Sequence, residues 1–317
     1  MSTRHRAGAF LAHHPATSTA AGALCVSASG VFIGLAHTTP GTVSFYRSVL
    51  ALPFLAALAR LESGERRATR AGSRVLAWVA GALLAGDMLF WTPAVAELGA
   101  GPSTVVVNLQ VVLVPLIAWL VDREPVPGQF LLLIPPLLLG VALTGGVLGG
   151  ATGDDPTAGL WHAAVAALCY AGFLYLLRRG SGGGGGAHAM LHVTLASALT
   201  SLLAGSAWQG IRFGPDPATL GWLLALSVSG QVIGWLLVAS ASARLPSRTS
   251  AVLLLLTPVG ALALGALVLG ENPDVPQLAG CALVLATVPL AAAGAPRRRA
   301  PQPDPSRRAT TPSVSRG

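Results

Sequence analysis

Lysine is absent from this chain, and charge of either sign is scarce. Of its 317 residues, 20 are basic, every one an Arg, and 12 are acidic, so charged residues make up 10%. A soluble domain carries roughly 25%, because its outer face has to be solvated. That shortage excludes a soluble chain. Cysteine is limited to Cys25, Cys169 and Cys281. Without a close-spaced pair they read as small apolar core residues, not disulfides or metal ligands. Aromatic residues reach only 6% and do not interleave with the basic ones. Despite a net charge of +8, no basic groove is available to track a phosphate backbone, and nucleic acid is not expected as a partner. A nucleotide loop of the form GxxxxGK[ST] is also missing, so nothing suggests ATP drive. Apolar residues fill the space: 53% of the chain is hydrophobic and the mean hydropathy is +0.66. The composition is that of a polytopic membrane protein.

A spanning helix needs about 20 mostly apolar residues, at about 1.5 Å of rise each. By that measure ten spans are expected, near Thr19–His37, Thr42–Ala59, Val75–Val95, Pro102–Val121, Gln129–Leu148, Gly159–Leu177, Ala187–Trp208, Thr219–Ala241, Ser247–Leu269 and Val275–Gly294. Gly and Pro punctuate the gaps, as at 38–41, 153–156, 214–217 and 271–274. The arginines test this map independently. With a cytoplasmic N-terminus, 18 of them fall in inside segments, Arg212 alone lies outside, and Arg47 falls within a span. Such asymmetry is what the positive-inside rule expects. The predicted protein is all-α and multi-pass in the plasma membrane, with both termini cytoplasmic.

Residues 1–15 form a short cytoplasmic arm, since Arg4 and Arg6 precede an apolar run without a convincing small-residue cleavage site. The Gly182–Gly186 run reads as a flexible linker. The Arg-, Pro- and Ser-rich stretch 295–317 reads as a disordered cytoplasmic tail. Between them lie two units, 16–150 and 157–294, that repeat one another. The segment from Ala94 aligns without gaps on that from Ala241, pairing Ala96 with Ala243, Leu98 with Leu245, Ser103 with Ser250, Val105 with Val252 and Glu124 with Glu271. Matches among Ala, Val and Leu are cheap in a membrane chain. The ordered pattern of polar connector, span, acidic residue and Pro turn is less so. Five spans per unit is an odd number, so the two copies must cross the membrane in opposite senses. Inverted repeats of this kind are typical of secondary transporters, with substrate sites near the midplane at the repeat interface.

At this point the sequence resembles EamA-type members of the drug/metabolite transporter superfamily. The resemblance rests on the Pro40, Phe45-Tyr46-Arg47 and Ala51-Leu52-Pro53 stretch, on the passage ending at Glu124, and on Thr257-Pro258 with Leu269-Gly270-Glu271. The first half departs from it with Asp122-Arg123-Glu124 where Leu-Gly-Glu is usual, and with Pro115 four positions later than the equivalent of Pro258. The resemblance implies two inverted five-helix repeats and transport of a metabolite, not enzymatic chemistry.

Charge inside the apolar runs points to the site, because a charged side chain at a helix centre costs about 2.5–3.5 kcal/mol on insertion scales. Counted from the outer helix ends, Arg47, Asp87 and Asn108 share one level roughly 10 Å below the outer surface. Arg47 is suited to hold a carboxylate or phosphate. Asp87 is the candidate coupling-proton group, since burial and a neighbouring Arg act on a carboxyl in opposite senses. The competing structural reading is a salt bridge pinning two spans together, with Asn108 satisfying leftover donors. Asn108 and Gln110 are both candidates, although two residues apart they point about 200° away from each other. Trp91, one turn beyond Asp87, is expected either as a cavity wall or as an interfacial belt residue. Tyr170, Gln231 and Thr257 are the second half's polar candidates. His37 and His162 sit near helix ends. His188 and His192 have i,i+4 spacing but no third ligand nearby in sequence, so neither metal nor cofactor is expected.

The expected function is secondary transport, as an exporter of a small polar or amino-acid-like solute, proton-coupled. Spans five and ten, nearly devoid of polar residues, are better packing or homodimer faces than pore walls. The alternatives are a membrane-embedded enzyme and a non-transporting sensor or assembly protein. Paired catalytic acids, HExxH and GxSxG are absent from the sequence.

Overall fold

A computed structural model describes residues 15–61, 71–123, 131–144, 154–180, 187–242, 253–254 and 256–293. Every regular element among them is helical. The first unit contains α1 (Pro15–Ser27), α2 (Ser29–Ala36), α3 (Pro40–Leu61), α4 (Ala71–Leu98), α5 (Ala100–Val107), α6 (Gln110–Asp122) and α7 (Ile134–Thr144). The second contains α8 (Pro156–Gly180), α9 (Ala187–Trp208), α10 (Pro217–Leu226), α11 (Trp235–Ser242), α12 (Leu256–Leu264) and α13 (Val275–Ala293), with π-helical turns at Ser227–Gly234 and Gly265–Leu269. Glu124, the Gly182–Gly186 linker, both terminal segments and Leu255, the counterpart of Asn108, lie outside the described residues.

Seven helical runs are long and apolar enough to cross a membrane: Ala16–Ala36, Pro40–Arg60, Arg74–Leu98, Ala100–Asp122, Pro156–Leu177, Ala187–Trp208 and Pro217–Val238. The shorter apolar helices are Ile134–Thr144, Leu256–Leu269 and Val275–Thr287. The protein is therefore a multi-pass membrane protein. Its outward faces carry Leu132, Trp161, Leu203, Leu267 and Val275, all strongly exposed, as helices bathed in lipid require and helices bathed in water avoid.

Packing follows the repeat. The first helix of each unit lies along the third helix of the other: α1 and α2 against α10, α11 and the turn between them, and α8 against α4. Second packs on second (α3 on α9), fourth on fourth (α5 on α12), last on last (α7 on α13). This is the pairing that a two-fold axis relating the two repeats imposes.

Since lipid tails are as apolar as leucine, these helices are held by close approach and by interhelical hydrogen bonds. Along α3 and α9, Ser44 Oγ meets Ser201 Oγ at 2.7 Å and Ser48 Oγ meets Ser197 Oγ at 3.0 Å. On α4, Gly81 lets α9 come so near that a Cβ would sit 2.6 Å from that of Ala196 and overlap the carbonyl of Val193. Between α7 and α13, Gln277 Nε2 donates to the Thr144 carbonyl at 3.3 Å, and a Cβ on Gly280 would fall 2.6 Å from the Gly140 carbonyl oxygen. The small-residue faces of these two helices are thus used within the chain.

Several irregularities matter for the site. The fourth crossing is broken at Asn108 and Leu109. There the Asn108 amide is shared between the carbonyls of Thr104 (3.3 Å) and Val105 (3.1 Å), while its side-chain Nδ2 donates to Thr104 at 2.8 Å. A side chain that competes for its own helix's carbonyls loosens the backbone ladder. The first crossing is interrupted at Ala28, a single turn residue between α1 and α2. Both π-helical turns lie in the second unit.

Candidate functional site

Arg47 occupies the middle of α3 and is 4% exposed, and Asp87, on α4, is 4% exposed. Burying either charge costs several kcal/mol unless it is paired and hydrogen-bonded. They lie within electrostatic range of each other and of Tyr170 on α8. No salt bridge joins them. The ion pairs among the described residues are Glu97–His162 and Asp122–Arg179. Instead Arg47 Nη1 points at the sulfur of Met88, the neighbour of Asp87, and a thioether is only a weak acceptor. Arg47 Nε has no partner among the described residues. The simple pinning bridge therefore does not form, and Asn108 Nδ2 is engaged by its own helix, at the Thr104 carbonyl.

Elements of the second unit complete the surroundings. Ser227, which opens the first π-helical turn, donates its hydroxyl to the Arg47 carbonyl at 2.9 Å. One turn on, the buried Gln231 donates Nε2 to Thr194 Oγ1 on α9 at 3.3 Å. Thr194 stands one turn from Ser197, the partner of Ser48, so Gln231 and Arg47 flank the same strip of α9. Tyr170 stacks on Phe173 with ring centroids 6.0 Å apart and meets Trp235 edge-on at 5.9 Å. The site therefore draws on α3, α4, α8, α9 and the π-helical turn at 227–234, that is, on both repeats.

Trp91 is buried in the cluster that contains Met88, Val43, Leu223 and Leu226, with Tyr46 and Leu50 packed against it. That excludes the lipid-facing belt position, and its indole N–H has no partner among the described residues. Gln110 is half-buried at the start of α6, just past the helix break. Thr257 Oγ1 donates to the carbonyl of Ala23 at 3.4 Å, tying α12 to α1. Arg47, Asp87, Trp91, Tyr170 and Gln231 thus come together, while the described contacts of Asn108 and Thr257 are made elsewhere.

Three polar constructions at the helix ends were not anticipated from sequence. Glu97 Oε2 and His162 Nδ1 lie 2.5 Å apart and join α4 to α8 at one end. At the other end, Tyr175 of α8 donates to Asp122 Oδ2 of α6 at 2.7 Å, and Arg179 donates to both of them. Asp122 belongs to the Asp-Arg-Glu departure in the repeat motif, which was the only signal available for this network. Glu271 accepts the backbone N–H groups of Ala100 (2.6 Å) and Gly101 (3.3 Å) at the start of α5. Beyond the apolar spans, Asp216 caps α10. Hydrogen bonds from Thr219, and from the amide of Ala218, hold its carboxyl below the usual carboxylate range. Among the described residues no group of three or more His, Cys, Asp or Glu side chains is placed to hold a metal ion.

The EamA-like transporter family matches the chain twice, over residues 16–146 and 157–292. No curated protein matches it. Twenty-five chains of solved structures do. One, described as "Crystal structure of protein", superposes with a TM-score of 0.57 at 16% identity, over 89% of this chain and 96% of that chain. At that identity the agreement speaks for the fold alone.

Proposed function

The chain belongs to the EamA-like transporter family, and from that premise we propose that it is a proton-coupled secondary transporter exporting a small polar or amino-acid-like solute. In this reading the seven long crossings and the three shorter apolar helices make ten spans, five per repeat. Both termini are cytoplasmic and the membrane is the plasma membrane, as the arginine distribution favours. The solute binds between the repeats at Arg47, Asp87, Trp91, Tyr170 and Gln231, with Asn108, Gln110 and Thr257 completing the path as it opens. Asp87 carries the coupled proton. The lipid-side faces of α7 and α13, with Leu138 and Leu278 exposed, serve a homodimer.

One observation carries the reading. A buried Arg and a buried Asp sit at the junction of the two repeats without closing on each other, and Arg47 Nε is left without a partner among the described residues. A purely structural pair would gain most by direct contact. Groups left open at a repeat interface suit ligands that come and go. No covalent chemistry forms part of this reading. The test is solute flux in proteoliposomes with and without an imposed pH gradient. Asp87→Asn is expected to abolish the gradient's effect on flux. Gradient-driven flux at the wild-type rate in that variant sinks the coupling role.

A further inference from the structure

The unmet hydrogen-bonding capacity of the site carries information about what enters it. Buried polar groups in folded proteins are almost always paired, and each exception calls for a reason. Two of the unpaired atoms in this chain are Arg47 Nε and Trp91 Nε1. They belong to side chains 4% and 7% exposed. The two share one locality. Arg47 Nη1 reaches Met88, and Trp91 follows Met88 by three residues on α4, hence on the same helix face. Val43 and Leu50, on either side of Arg47, pack in the same apolar cluster as Trp91.

Both unmet atoms are donors. A guanidinium and an indole have no acceptor to offer, and the guanidinium keeps its charge at any physiological pH. The complementary ligand brings acceptor oxygens and negative charge. Two donors on neighbouring helices match the two oxygens of a carboxylate, whereas a phosphate ester dianion brings a third oxygen and a second charge to be met. The apolar side chains packed around this locality include Met88, Leu226 and Tyr46, which suit an apolar body more than a polyhydroxylated one.

Resting on the transporter reading above, we propose that the solute is recognised through a carboxylate, one oxygen on the Arg47 guanidinium edge that carries Nε and the other on the Trp91 indole N–H, with an apolar body against the surrounding cluster. The ligand replaces the poor Met88 sulfur contact with charge-assisted hydrogen bonds, which are about twice as strong as neutral ones. Its negative charge competes with Asp87 for the field of Arg47.

Purified full-length protein in detergent tests this with four solutes of one carbon body: 3-phenylpropionate, 3-phenylpropanol, 3-phenylpropylamine and 3-phenylpropyl phosphate. Thermal stabilisation is titrated for each. The carboxylate is expected to stabilise the wild type at the lowest concentration. Trp91→Phe keeps the wall and loses the donor, and is expected to weaken the carboxylate by roughly tenfold. Arg47→Gln should abolish its preference over the alcohol. Arg47→Lys, which keeps the charge without the planar fork, should fall between. The inference is overturned if the carboxylate gives no stabilisation, if the alcohol, amine or phosphate equals or exceeds it, or if Trp91→Phe binds it as the wild type does. Its failure separates from that of the transporter reading: carboxylate binding with no flux in proteoliposomes removes transport alone, and flux of the amine or alcohol without carboxylate binding removes this inference alone.

Discussion

Glu271, in the turn before α13, accepts the backbone N–H of Ala100 at 2.6 Å, so an acidic side chain of the second repeat caps a helix of the first. The amide of Gly101 reaches its other oxygen at 3.3 Å. The first four N–H groups of a helix have no partner within it, and a carboxylate placed there satisfies them and suits the positive end of the helix dipole.

Glu271→Ala is therefore expected to destabilise the protein by about 1 kcal/mol, the usual worth of an N-terminal cap. Glu271→Gln keeps an acceptor but loses the charge and should cost less. Thermal unfolding in detergent measures both. Equal stability of Glu271→Ala and wild type would show that the contact adds nothing.

The Asp122–Tyr175–Arg179 network joins α6 of the first repeat to α8 of the second. Its members act as a unit, so their substitutions are expected not to add. Asp122→Arg and Arg179→Asp alone should each lower the midpoint of unfolding, and the exchanged pair together should recover most of the loss. Tyr175→Phe removes the shared hydroxyl and weakens the coupling between the other two. A double-mutant cycle of unfolding midpoints reads this directly.

Gly81 and Gly221 are expected to respond to alanine in opposite ways. At Gly81 the new Cβ meets Ala196 and the backbone of α9, so Gly81→Ala should cost about 1–3 kcal/mol through overpacking. At exposed Gly221 nothing lies within 4 Å. There the substitution should be neutral or stabilise by up to about 1 kcal/mol, the difference in helix propensity. Unfolding midpoints of the two variants, side by side, check the contrast.

Asp216 gives a pH signature. Because hydrogen bonds from Thr219 and Ala218 hold its carboxyl below the ordinary range in the folded chain, its stabilising contribution is complete above the unfolded value, about 3.9. The contribution is lost as the pH falls through the lower folded value. The gap in unfolding midpoint between wild type and Asp216→Ala should thus be constant near neutrality and close as the medium is taken from pH about 4 downward. A gap that widens on acidification contradicts this assignment.

Charge was the most legible part of the sequence. Arg47 and Asp87 stood out because an ionised group in an apolar run demands an explanation, and both are found buried between the repeats. The repeat was legible from the offset that pairs Ala94 with Ala241, and the helix pairing follows from the symmetry of its two copies. Asn108 was read by depth alone, counted as uniform helical rise. Its carboxamide turns back on Thr104 at a break that the rise does not register. The interruption at Ala28 leaves no compositional trace, since alanine is the best helix former. Glu97 and His162 were read separately, as helix-end residues of ordinary kind. Their pairing depends on how α4 and α8 meet, and that is a property of tertiary packing.

The alternation of partners has a consequence for how the molecule is made. Each crossing of the first repeat finds its principal companion in the second: α1 and α2 in α10 and α11, α3 in α9, α4 in α8, α5 in α12 and α7 in α13. During synthesis the first half must therefore enter the bilayer with its mates still untranslated, its serine and glycine faces covered only by lipid. Its fourth crossing goes uncapped until Glu271, 171 residues beyond Ala100, leaves the ribosome. A half-length chain has no reason to be stable by itself, and the commitment to the native arrangement comes late, when the closing helices arrive.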